Sequence, residues 1–220
     1  MIKAFSGSGL KTLFLFDTPS YLVINEAMKT IINTDLKQSI KAKEAFVRES
    51  ADVIIALAQQ ITDTFKQGRK LLIFGNGGSA ADAQHMAAEF VNRFLINRQP
   101  LPAIALTTDT SVITSIGNDF SYDMIFVKQV QALGKPGDLA LGISTSGTSP
   151  NVVKALSVAK DLQLTTAALT GGRRAPAAEI AICSDLILNV PSDETPHIQE
   201  THLWVEHVLC EIVEKELFGK

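Results

Sequence analysis

The sequence predicts an α/β protein, with one domain in which a mostly parallel five-stranded sheet is flanked by helices on both faces, plus N-terminal and C-terminal helices. Short apolar runs recur along the chain, and most end in a turn rich in glycine or hydroxyl groups. Segments of helical spacing separate them, and long helical patterns stand at both ends. Strands that are apolar throughout and alternate with helices build parallel sheets covered on both faces.

The elements follow in order. From about Asn33 to Lys66 the apolar positions Leu36, Ile40, Ala45, Val47, Ile54, Leu57 and Ile61 predict a helix, closed by Gly68. Leu71-Leu72-Ile73-Phe74 reads as a buried strand ending at Gly75. Ala103 to Leu106 predicts a second strand, followed by a polar turn and a short helical segment. Leu139 to Ile143 predicts a third, before a hydroxyl-rich loop and a helix from about Asn151 to Asp161. Thr165 to Leu169 and Leu186 to Leu188 supply the fourth and fifth strands, and a last helix runs from about Pro196 to Phe218.

Composition narrows the function classes. The chain has 220 residues, 46% hydrophobic and 20% charged, with a net charge of -3 and no basic stripe. That balance argues against a nucleic-acid or membrane surface. Cys183 and Cys210 are the two cysteines and form no CxxC pair, which fits a reducing cytoplasm better than a disulfide framework. The run Leu13 to Phe16 is too short for a secretory signal and is followed by Asp17 and Pro19.

Ligands of open α/β sheets bind outside the carboxyl ends of the strands. Two polar loops stand at such ends. Gly75-Asn76-Gly77-Gly78-Ser79 joins a strand to a helix, where glycines admit backbone N–H groups to an anion. Ser144-Thr145-Ser146-Gly147-Thr148-Ser149 offers five hydroxyls in six residues before the next helix, a cradle for phosphate. Tight strand-to-helix turns use the same residues without any ligand. Neither loop matches GxGxxG or a Walker A motif, and two of them favour a phosphorylated ligand over a dinucleotide.

His85 and Glu89 lie four apart on the helix after the first loop, so they share one side of it. Such a pair serves a metal ion, acid–base chemistry or simply a solvated helix face. Their neighbours Met86, Ala87, Ala88 and Phe90 suggest partial burial. The last helix carries Gln199, Glu200, His202, Glu206 and His207, with three of the four histidines within eleven residues. HExxH is absent, and His202 with Glu206 also reads as a solvated pair.

Taken together, Gly75 to Ser79, the His85/Glu89 pair, Gly117-Asn118-Asp119-Phe120, Ser144 to Ser149 and Ile198-Gln199-Glu200 resemble bacterial phosphoheptose isomerases, in order and spacing, from about Met28 to the C-terminus. The resemblance implies a sugar-isomerase (SIS) domain over residues 28–220. It implies conversion of sedoheptulose 7-phosphate to a manno-heptose 7-phosphate for cell-surface heptose synthesis. It also implies a homotetramer with active sites at subunit boundaries, and one zinc per subunit held by His85, Glu89, Gln199 and His207. Glu89 and His207 would be the acid–base pair. Asn76, Gly77, Gly78, Glu89, Asn118, Asp119, Ser144, Thr145, Ser146, Ser149 and Gln199 would hold the sugar phosphate. Members of the family begin near Met28, so residues 1–27 read as an extension, either poorly ordered or upstream of the true start.

Gln199 and His207 are eight residues apart, about 12 Å of rise on a helix. Sharing one small ion at that separation leads to two expectations: service from different subunits, or a Gln199 that precedes the regular helix. Two rival functions remain. A non-catalytic protein of the same fold binds the replication initiator DnaA, but it lacks the acidic residue at position 89 and the histidine at 207. A sugar-phosphate sensor, or an isomerase of another sugar phosphate, is the third class.

Overall fold

The computed structural model describes residues 18–173 and 175–219, with side chains from residue 24 onward. The extension expected at residues 1–27 therefore falls largely outside the described residues. The chain divides into two compact units, one ending at Gln38 and the other Ser39–Lys220.

Helix α1 spans Thr18–Lys66, so helical backbone begins fifteen residues before the expected Asn33. Then come β1 (Leu71–Gly75), α2 (Gly78–Val91), β2 (Ala103–Ala105), α3 (Thr110–Asp119), a short 3-10 turn at Tyr122–Met124, and α4 (Ile125–Leu133). The chain continues through β3 (Leu139–Ile143), α5 (Pro150–Asp161), β4 (Thr165–Gly171), α6 (Ala178–Ile182), β5 (Leu186–Val190) and α7 (Thr195–Phe218). All five strands are parallel, in the order β2-β1-β3-β4-β5. The expected α/β class and strand set hold, while α4 and α6 were not anticipated individually.

The period of two in the strands divides the core into two layers. Leu71 and Ile73 of β1, with Leu139, Leu141 and Ile143 of β3, face α1, α2 and α7. Leu72, Phe74 and Ala140 point the other way, toward α4 and α5. The single tryptophan, Trp204, meets Phe46 edge-on at 6.5 Å in the first layer.

Two sequence expectations need correction. Ile54, Leu57 and Ile61 of α1 are buried as expected, but Leu36, Ile40 and Val47 are exposed. The core-facing stripe instead continues through Phe46 and Ala42 to Ser39. The α-helical period accommodates either stripe, and packing selected the one bearing the aromatic ring. Second, His202 and Glu206 are no solvated pair, since both are fully buried. The buried face of α7 is two residues wide at each turn, and these polar residues fill the column beside Val205 and Leu209.

Candidate active site

β1 and β3 are neighbours in the sheet, yet the chain passes from β1 to β2 on one side and to β3 on the other. This is the topological switch point of a doubly wound sheet, where the loops splay apart and leave a crevice. Both polar loops emerge there. Gly77 caps α2 at φ 55° and supplies no side-chain cap. Only glycine adopts that positive-φ conformation without strain, and the Gly77 carbonyl accepts the Ala80 and Ala81 N–H groups at 3.0 and 3.3 Å. A Cβ at Gly78 would collide with the Gln199 amide, so the glycine allows α7 its close approach.

Across the crevice, α5 begins with Ser149 as N-cap and Pro150 in the first turn, again without a side-chain cap. The Ser149 hydroxyl lies 2.9 Å from that of Ser144, which is buried, and Ser146 lies 3.0 Å from Thr148. Thr145 and Ser146 line a cavity of about 200 Å³ with Ser192, Asp193 and Thr195. The two loops are tied together. Asn76 and Asn151 exchange amide hydrogen bonds at 2.8 and 2.9 Å, and the Tyr122 hydroxyl donates to Asn76 Oδ1 at 3.0 Å. Asn118 and Asp119 end α3 in the open, bonded to each other at 2.8 Å.

Helix α7 lies against α2. His85 Nε2 and His207 Nε2 are 2.7 Å apart, and Glu89 Oε1 is 3.7 Å from His85 Nε2. The fold thus brings together three of the four residues named for zinc. Among the described residues, no group of three or more His, Cys, Asp or Glu side chains is placed so that it could hold a metal ion. Gln199 stands two turns before His207 and donates from Nε2 to Asp82 Oδ2 at 3.3 Å. Because α7 begins at Thr195, Gln199 lies inside the helix, and the expectation that it precedes regular helix fails. Both residues face α2 of the same chain, which also counts against dividing them between subunits.

Two neighbours, Asp82 and Phe94, had no place in the sequence reading. Asp82 is buried one turn before His85. Burial raises its pKa, against the lowering effect of the Gln199 hydrogen bond and of His85. Its spacing from His85 was the available signal. Phe94 stacks on the His207 ring at 5.7 Å, and no local pattern announces that contact. Glu206, beside His207 in sequence, has two carboxyl oxygens without hydrogen-bond partners. Burial, with the nearby Asp82 charge, pushes its pKa up to about 9.

The SIS domain family matches residues 36–171 of the chain. Phosphoheptose isomerase of Nitratidesulfovibrio vulgaris is 48% identical over 190 residues, 86% of this chain and 90% of that protein. Its counterpart from Roseiflexus is 50% identical over 184 residues, 84% of this chain and 92% of that protein. The solved phosphoheptose isomerase GmhA of Neisseria gonorrhoeae superimposes with a TM-score of 0.80 at 39% identity, covering 86% of this chain and 99% of that one. The Francisella tularensis enzyme gives 0.81 at 39% identity, covering 86% and 98%. With such agreement along most of both chains, the protein belongs to the phosphoheptose isomerase family of SIS-domain enzymes.

Proposed function

We propose that the protein isomerises sedoheptulose 7-phosphate to D-glycero-D-manno-heptose 7-phosphate for cell-surface heptose synthesis. The observation that carries this reading is the meeting of His85, Glu89 and His207 beside two anion-cradling loops at the switch point. The family's isomerase names agree with it, and they give no support to the initiator-binding alternative.

Moving a carbonyl between two sugar carbons needs a proton taken from one carbon and a proton given to the other, through an enediol. We assign those roles to Glu89 and His207, which come from two different helices, α2 and α7. The hydroxyls of Ser144, Thr145, Ser146 and Ser149, with the N-terminus of α5, hold the phosphate. Asn76, Gly77 and Gly78 orient the sugar from the opposite loop, with Asn118 and Asp119 at its exposed end. Gln199 closes the site from α7.

Two facing imidazole nitrogens and a carboxylate are the donor chemistry zinc prefers. We assign one zinc per subunit to His85, Glu89 and His207; Gln199, two turns before His207 on α7 and bonded to Asp82, stands apart from these three. When bound, it supplies a positive charge that polarises the sugar oxygens. We also assign the protein to the cytoplasm, where the free, buried Cys183 and Cys210 remain reduced. Among the described residues, no helix is long and apolar enough to cross a membrane.

The test is turnover of sedoheptulose 7-phosphate by purified protein, with and without added zinc, beside Glu89→Gln and His207→Ala. Each variant is expected to lose at least about 100-fold in kcat with its fold intact. A parent without turnover in the presence of metal would redirect the reading to another sugar phosphate.

A further inference from the structure

Between α2 and β2 the chain runs through residues 92–102, and one buried ion pair organises its first half. Arg98 and Glu214 meet at 3.0 Å, and both side chains are 2% exposed. Glu214, on α7, also accepts the backbone N–H groups of Phe94, Leu95 and Ile96 at 3.1, 2.7 and 2.7 Å. Burial opposes ionisation of Glu214, but these three donors and Arg98 outweigh it and hold the carboxyl below the usual range.

Arg98 turns its remaining nitrogens the other way. One Nη donates to the Phe90 carbonyl at 2.7 Å and to that of Gln99 at 3.0 Å, and the other to the Glu89 carbonyl at 2.9 Å. Glu89 and Phe90 belong to the last turn of α2, whose carbonyls have no partner within their own helix. A guanidinium satisfies them and suits the negative end of the helix dipole. Phe94, pinned by Glu214, lies nearly parallel to the His207 ring, at 17°.

We propose that Arg98 and Glu214 are positioning residues, a clamp that fixes the Glu89 backbone directly and the His207 ring through Phe94. The proposal rests on the reading of Glu89 and His207 as the acid–base pair. A buried ion pair is weak support for stability alone, because desolvation offsets much of its attraction. What this one adds is direction. Four hydrogen bonds from the guanidinium and four to the carboxylate leave the segment one orientation relative to α2 and α7.

The experiment compares the parent with Glu214→Gln, Arg98→Lys and Phe94→Leu. It measures kcat and KM for sedoheptulose 7-phosphate, thermal midpoints, and the His207 ring-proton resonances of the zinc-free protein. The expected result is a kcat lower by about ten- to a hundred-fold with KM within about two-fold, well below each variant's midpoint. The His207 resonances of Glu214→Gln should shift toward their position in Phe94→Leu, where the stacked ring is gone. Should Glu214→Gln fail to fold, Arg98→Lys and Phe94→Leu carry the test, since both leave the Glu214 acceptors in place. Parental kcat and unmoved resonances in the folded variants would overturn the clamp, as would losses that disappear once the temperature is lowered. A parent without turnover overturns the acid–base reading instead, and the resonances then still decide whether the pair orients His207.

Discussion

Glu206 and His202 sit one turn apart on the buried side of α7, and they oppose each other in pH dependence. Burial lowers the His202 pKa from 6.5 to about 4, the bond from its ring nitrogen to the Thr170 carbonyl offsetting this only in part, so the ring stays neutral in the fold. Its contribution to stability is complete above pH 6.5 and lost as pH falls toward 4. Glu206, raised from 4.5 to about 9, is protonated; its contribution is complete below 4.5 and lost as pH rises to 9. From pH 6.5 to 9 only Glu206 of the two is titrating, so stability should decline there, by up to about 1.4 kcal/mol per pH unit. Thermal melts across that window should show the decline, and Glu206→Gln should flatten it. An unchanged slope in the variant would mean that other groups set it. Gly78 supports a second prediction. Ala at that position suits a helix and meets only the flexible end of Gln199, so the melting temperature should hardly move. Displacement of Gln199 should nevertheless lower kcat/KM about ten-fold or more, measured by steady-state kinetics.

At the scale of elements, what the sequence disclosed depended on how local the signal was. Leu71 to Gly75 and Leu139 to Ile143 are runs too short for helices and bounded by turns, so their strands could be named to the residue. The loops after them were legible for the same reason. The tie between those loops was not, because Asn76 and Asn151 lie 75 residues apart and neither has a distinctive neighbourhood. Removing it with Asn151→Ala leaves the half-buried Asn76 amide nitrogen without its acceptor, while Tyr122 still bonds Oδ1. The expected result is a several-fold rise in KM with a smaller change in kcat, and an unchanged KM would show that Asn76 is held by Tyr122 alone. The grouping of His85 with His207 spans 122 residues, so it could be reached only through family resemblance. Helix α7 misled because polar residues four apart usually mark a solvated face, whereas here they occupy a second buried column.

At the scale of the molecule, α1 presents apolar side chains that the other described residues leave uncovered. Ile24, Met28, Ile31, Ile32 and Leu36 are exposed in the first unit, and Ile40, Val47 and Ile55 in the second. Exposed apolar residues repeated along a helix in this way mark association. We propose that they meet other copies in a homotetramer whose active sites lie at subunit boundaries. Light scattering should give a tetramer mass, and Ile31→Glu with Leu36→Glu should reduce it; a parent that stays monomeric at micromolar concentration would refute this.

Trp204 gives this architecture an optical consequence. It is the sole indole in the chain, and it meets the Phe46 ring where α1 lies over α7. Its emission is therefore a private channel on that one contact. Solvent reaching the ring should shift the spectrum to the red before the sheet signal fades, so fluorescence and circular dichroism followed together would time the departure of α1 against the melting of the strands.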